Sequence, residues 1–177
     1  MKFSKSTIIR IILWIIMLLG GAFFSLYYDL NSPLFHSWQF HLITAILGLF
    51  IIKVSFKAAG NSGRDLKKYG RVGDIPRLET NKLAKEGLYA CMRHPMLFAL
   101  TLLPLGWALL LGLPTYIFVI APLEMIFIIA MVLTLEEKEA IDKFGNEYIE
   151  YKSKVPAFHL KCLKQLLRRK NEDSNAS

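Results

Sequence analysis

The sequence predicts an all-α integral membrane protein, and three observations carry that expectation. Hydrophobic residues make up 54% of the 177 positions, and the mean hydropathy is +0.37, a balance that a soluble domain of this size rarely shows. Four apolar stretches, 8–28, 38–59, 96–112 and 114–134, come close to the length of about 20 helical residues needed to cross a hydrocarbon core of about 30 Å. The basic residues are placed asymmetrically around them.

The first span begins among Lys2, Lys5 and Arg10 and lacks a convincing small-residue cleavage site, so it is expected to be a retained helix. The turn after it, 29–37, has no Lys or Arg, whereas 60–93 carries eight: Arg64, Lys67, Lys68, Arg71, Arg77, Lys82, Lys85 and Arg93. The positive-inside rule then places both termini and this segment in the cytoplasm. A small chain with such loops and no organelle signal fits a prokaryotic inner membrane.

Residues 1–59 are read as two spans, packed through Gly20, Gly21 and Gly48. Lys53 and Lys57 can snorkel to the interface. Residues 60–95 form a cytoplasmic loop in which Gly60, Gly63, Gly70, Gly73 and Pro76 are expected to break any long helix. Residues 96–134 form a tight helical hairpin, because only Leu113 separates Gly112 from Pro114; Pro104 and Pro122 are expected to kink its arms. Residues 135–170 continue as cytoplasmic helices, ending in a basic amphipathic helix over 158–170 on the membrane surface. Residues 171–177 are read as a disordered tail. The whole is one membrane domain.

The net charge of +8 is largely topological, with some attraction to anionic lipid heads. The basic residues alternate with acids and lack a stacking platform of aromatics, which argues against a nucleic-acid partner. The two cysteines, Cys91 and Cys162, fall on the expected cytoplasmic side, where thiols stay reduced. No disulfide is expected, and two distant cysteines are too few for a thiolate metal site.

The hairpin returns two polar clusters to one water boundary. Arg93 and His94 precede Pro95 at the opening of an apolar helix, where free backbone N–H groups and the helix dipole suit a ligand carboxylate or phosphate. A plain reading also stands, with Arg93 a topological anchor and His94 an interfacial cap. Glu136 and Glu137 end the last span; they could hold an amine, a ribose diol or Arg93 itself, or form a solvated helix end beside Lys138 and Lys143. Glu124, deep in the same span, is either a substrate contact or a protonated group bonded to a neighbouring helix. The sequence contains no G-x-G-x-x-G turn, P-loop, H-E-x-x-H or G-x-S-x-G motif. That excludes a Rossmann-type cofactor domain.

Gly87-Leu88-Tyr89, Arg93-His94-Pro95, Glu136-Glu137 and the run from Phe144-Gly145 through Tyr148 and Tyr151 to Val155-Pro156, taken in order, resemble the isoprenylcysteine carboxyl methyltransferase family. That family is related to the membrane phospholipid methyltransferases. The resemblance covers roughly 82–158 and implies an S-adenosylmethionine-dependent enzyme of the membrane. It places Leu83 and Ala84 along the cofactor, Tyr89 in the pocket wall, and His94, Pro95, Met96 and Leu97 in the main contact strip beside Arg93. Glu136 becomes the acidic cofactor contact and Glu137 its support. Two departures stand out: Leu97 and Ala99 replace a usual tyrosine and a frequent glycine, and Val132 replaces an arginine associated with the substrate carboxylate in the eukaryotic enzymes.

Methyl transfer from a sulfonium needs alignment and exclusion of water more than acid–base groups, and the chain offers no evident general base. No catalytic residue is assigned. The acceptor implied is lipophilic or small, with a carboxylate, thiol or amine as nucleophile. Membrane lipids are the expected surroundings, and the oligomeric state is not legible. Two other readings remain at this stage: an NADPH-dependent sterol-type reductase, and a non-catalytic scaffold that retains the motif.

Overall fold

The computed structural model describes residues 5–75 and 80–168. All regular structure among them is helical. Helix α1 spans Lys5–Asp29 and α2 spans Trp38–Tyr69; α3 (Pro95–Thr101) and α4 (Leu103–Leu111) follow. The next long helix comprises a wide π-type turn (Tyr116–Ile120), α5 (Ala121–Met131), a second wide turn (Val132–Glu136) and α6 (Glu137–Phe144). Helices α7 (Asn146–Lys154) and α8 (Leu163–Leu167) follow.

Among the described residues three helices, Ile8–Asp29, Trp38–Tyr69 and Tyr116–Phe144, are long and apolar enough to cross a membrane; Pro95–Leu111 is apolar but shorter. Ile16, Phe23, Ile46, Phe50, Phe118 and Ile126 are all exposed. On a soluble protein such a surface would aggregate, whereas in a bilayer it faces lipid. The chain is an integral membrane protein.

Polar residues fasten the helix ends opposite the candidate site. Asp29, buried at the end of α1, accepts bonds from Thr115 N–H at 3.0 Å and Thr115 Oγ1 at 2.6 Å. Its carboxylate thereby caps the start of the last long helix, where unpaired N–H groups favour negative charge. Ser37 caps α2 by accepting from Phe40 N–H at 3.4 Å, and His41 Nε2 donates to Phe35 O at 2.6 Å.

Helix α2 is the spine, lying against α3 and α4. It corrects the loop boundary expected from the glycines: α2 runs on through Gly60 and Gly63 to Tyr69 and stops only at Gly70. Each helical glycine costs only about 1 kcal/mol relative to alanine. Burial of Ala58, Asn61 and Ser62 and the bond from Asn61 Nδ2 to Leu166 O at 2.7 Å offset that cost. At 32 residues the helix is about 48 Å long, so its last turns stand beyond a hydrocarbon core of about 30 Å.

The third apolar stretch is broken at Leu102, between α3 and α4. Pro104 lacks the N–H that would bond back to Leu100, which accounts for the break. Helix α4 ends at Gly112 in the left-handed conformation, φ 64°, and the last long helix starts within a few residues and packs on α4. The wide turn at Tyr116–Ile120 lies just ahead of Pro122.

Two further expectations are corrected. The segment after Phe158 is not one amphipathic helix on the surface: a short 3₁₀ turn (Leu160–Cys162) leads into α8, and Leu166 is fully buried with Ala58, Leu88 and Ala99. An apolar docking site on α2 outcompetes the membrane surface for this segment. Residues 169–170 and the expected tail at 171–177 lie outside the described residues. Cys91 and Cys162 are joined as a disulfide, with Cα atoms 6.1 Å apart. Docking of α8 brings together two cysteines that are 71 residues apart in sequence.

Candidate functional site

The site begins at a turn that only glycine makes without strain. Gly87 has φ +61°, and a Cβ there would collide with the Asp65 carboxylate. That carboxylate accepts Leu88 N–H at 2.8 Å, anchoring the 3₁₀ turn Gly87–Ala90 to the C-terminal extension of α2. The chain then extends through Arg93 and His94, because the residue before a proline is disfavoured in the helical region; His94 has φ −122° and ψ 57°. The extended backbone pairs with the segment after α7: Arg93 N–H donates to Pro156 O at 2.9 Å and His94 N–H to Ala157 O at 3.2 Å.

Arg93 and Glu137 are the buried centre, with side chains 7% and 3% exposed. Arg93 Nε donates to Glu137 Oε1 at 3.1 Å, and Nη2 donates to the same oxygen. Nη1 donates to Lys152 O at 3.1 Å and to Val155 O. Lys152 Nζ approaches the other Glu137 oxygen at 2.5 Å. Each charge thus has partners on several sides, the condition under which a buried ion pair is tolerated.

His94 lies 3.5 Å from Glu137 Oε1 and 3.4 Å from Tyr148 Oη. Burial lowers its pKa to about 4, with Arg93 and Lys152 adding to the effect and Glu137 opposing it. The imidazole is neutral at pH 7. Its surroundings are aromatic: the Phe158 ring is centred 6.2 Å away, and Phe98 lies 5.9 Å beyond that. Tyr151 donates to Tyr89 O, and burial raises the pKa of both phenols.

This state of His94 predicts a pH dependence. The free imidazole titrates near 6.5 and the folded one near 4. Between those values the unfolded chain binds more protons, so stability is full above about pH 6.5 and falls as pH drops towards 4. The contribution is on the order of 3 kcal/mol. Denaturation midpoints measured from pH 7 to 5 should fall less steeply in His94→Gln than in the native protein; equal slopes would contradict the assignment.

The sequence-selected residues separate into groups. Arg93, His94 and Glu137 converge, over a base in which Leu83 packs with Tyr148 and Tyr151. Ala84, Tyr89 and Pro95 are buried beside this region in sequence, whereas Met96 and Leu97 are half-buried at the start of α3. Glu136 turns away to Arg10 of α1, which also holds Glu139 at 2.6 Å. Glu124 is bonded within the bundle, 3.1 Å from Tyr116 Oη, with Gly21 of α1 alongside. Sequence reasoning missed Lys152, Phe158 and the Pro156 and Ala157 carbonyls as members of the site, although the Val155-Pro156 ending marked the segment. Arg10 was noticed only as a flanking charge.

The family model described as phospholipid methyltransferase matches residues 42–147. Protein-S-isoprenylcysteine O-methyltransferase B of Arabidopsis thaliana is 32% identical over 124 residues, covering 69% of this chain and 59% of that protein. Protein-S-isoprenylcysteine O-methyltransferase of Saccharomyces cerevisiae is 29% identical over 120 residues, covering 64% of this chain and 44% of that protein. The chain therefore spans about half the length of the curated relatives it matches. A solved structure of a eukaryotic intramembrane Ras methyltransferase, isoprenylcysteine carboxyl methyltransferase, is similar over 90% of this chain and 54% of that one, at 18% identity and a TM-score of 0.39. With the family match running from α2 to the start of α7 and taking in both halves of the buried cluster, the chain belongs to the phospholipid methyltransferase family, in the neighbourhood of the isoprenylcysteine carboxyl methyltransferases.

Proposed function

We propose that this chain is a membrane methyltransferase that takes its methyl group from S-adenosylmethionine and passes it to a lipophilic or small acceptor. One observation carries the reading: in a member of this family, Arg93 and His94 from one motif and Glu137 from the other meet at a single buried cluster. The residues suit the donor. S-adenosylmethionine carries a sulfonium, and the cluster offers a neutral imidazole and the rings of Phe98, Tyr148 and Phe158. When bound, the cofactor would supply an electrophilic methyl group.

The roles of the chain's own residues follow from their bonding. Arg93 and Glu137 satisfy each other, so they act as positioning residues that hold the strap 152–157 against the start of α3. His94, Pro95, Met96 and Leu97, at the opening of α3, and Leu83, Ala84 and Tyr89 are the proposed cofactor contacts. Glu136 joins them if Arg10 releases it. Glu124 is a structural bond in the bundle and a secondary candidate for the acceptor's side. Residues Pro95–Leu111 and the last long helix form the proposed membrane hairpin, its open end and both termini in the cytoplasm, and the proposed membrane is a prokaryotic inner membrane. Val132, where the eukaryotic enzymes carry an arginine, favours a thiol or lipid amine over a carboxylate as nucleophile.

The family match favours methyl transfer over the NADPH-dependent reductase. The test is ligand-dependent stability, since a bound ligand raises the apparent melting temperature. S-adenosylmethionine or its demethylated product should raise the melting temperature of the detergent-solubilised protein, and NADPH should not. Stabilisation by NADPH alone would replace the proposal with the reductase. No response to either, with Arg93, His94 and Glu136 tolerant of substitution in cells, would replace it with a scaffold.

A further inference from the structure

We propose that Cys91, Cys162 and His159 form a thiolate–imidazole site for a zinc-class cation in the reduced protein. The two sulfurs and a ring nitrogen of His159 all lie within 4.8 Å of one another. The local fold builds this cluster from two turns. His159 and Cys162 are spaced H-x-x-C across a tight turn closed by Cys162 N–H donating to His159 O at 3.1 Å, which folds both side chains to one side. Cys91 ends the Gly87–Ala90 turn, its N–H bonded to Leu88 O at 3.1 Å.

The surroundings suit a metal as well as a disulfide. Cys162 is 1% exposed and fixed by the packing of Leu166, while Cys91 is half-buried and His159 exposed, which leaves an open side for entry and for a water as fourth ligand. Two thiolates and a neutral imidazole are the donor set that zinc takes in tetrahedral sites, with Zn–S about 2.3 Å and Zn–N about 2.0–2.1 Å. Tetrahedral angles put the sulfurs roughly 3.7 Å apart around the ion. Cα atoms 6.1 Å apart allow that by side-chain rotation.

The disulfide is the oxidised, metal-free form of the same site. A phosphine reductant gives two electrons to the S–S bond and becomes a phosphine oxide by taking oxygen from water, whose two protons complete two thiols. The cation then displaces those two protons and takes the imidazole nitrogen as its third protein ligand. Either form ties the same elements: Cys91 stands two residues before Arg93, and Cys162 follows the strap whose Pro156 and Ala157 carbonyls hold Arg93 and His94. The cation would pin the strap without touching substrate.

Cobalt(II) reports such a site directly. The full chain, untagged, in detergent and reduced with a phosphine without oxygen, should bind one equivalent of cobalt with an intense thiolate-to-metal absorption and the visible bands of a tetrahedral ion. Zinc should displace the cobalt and raise the melting temperature, and unreduced protein should bind neither. Cys91→Ser should abolish the absorption. His159→Ala, at an exposed position that leaves the core intact, should weaken binding on the order of tenfold or more, while its unreduced form keeps the native helical content. Absence of the absorption in reduced native protein, or His159→Ala binding as tightly as native, would overturn the metal site and leave a disulfide alone.

Discussion

Arg93→Ala is expected to destabilise the folded protein by about 3–5 kcal/mol, the usual consequence of removing one partner of a buried ion pair. The loss comes from what remains. Glu137, 3% exposed, would keep only Lys152, whose side chain is 44% exposed, and His94, which is neutral. Lys152 O and Val155 O would lose the guanidinium donor, so the strap would lose its side-chain anchor to the start of α3. Arg93→Lys should recover less than half of the loss, because an ammonium cannot reach one carboxylate and two carbonyls as a planar fork does. Unfolding midpoints in detergent would measure both changes, and binding of S-adenosylhomocysteine would follow them. A loss below about 1 kcal/mol in Arg93→Ala would mean that the pair behaves as a solvated surface bridge.

The same cluster shows where sequence reading succeeded and where it stopped. Apolar length located three of the four expected spans, because a bilayer demands about 20 apolar residues regardless of packing; the stretch at 96–112 is instead a shorter pair of helices broken at Leu102. It could not find where α2 ends, since the glycines at 60 and 63 are punctuation only in a helix without tertiary support, and Asn61 and Ser62 supply that support. The motifs marked the buried cluster but not which glutamate enters it. Adjacent residues on a helix point about 100° apart, and the wide turn at Val132–Glu136 resets the phase so that Glu137 faces Arg93 and Glu136 faces Arg10. Nothing in the local pattern marks such a turn. The Cys91, His159 and Cys162 cluster was hidden for another reason: its halves meet only once Leu166 has docked among Ala58, Leu88 and Ala99.

Gly48→Ala is expected to cost about 1–3 kcal/mol, and Gly48→Val more, through overpacking of the contact between α2 and α4. A Cβ at position 48 would stand 2.5 Å from Leu110 N, 2.8 Å from Gly106 O and 2.9 Å from Leu110 Cα. All three are backbone atoms, so no rotamer change relieves the clash and the two helices must separate. Gly106 meets α2 in the reciprocal way, its absent Cβ leaving room for Ile52 Cγ1 at 2.9 Å and Ile51 Cγ2 at 3.1 Å. Small residues at such crossings let backbones approach, and in lipid that packing replaces the hydrophobic drive available in water. Gly60→Ala is the matched control: it lies in the same helix with nothing within 4 Å of the added carbon, and should stabilise by about 0.5–1 kcal/mol. The consequence reaches the site, because α4 follows α3 directly and α3 opens at His94-Pro95. Displacing α4 from α2 should therefore weaken cofactor binding in Gly48→Ala but not in Gly60→Ala. If the two variants match in melting temperature and in cofactor affinity, the α2–α4 contact is not what holds the start of α3 in place.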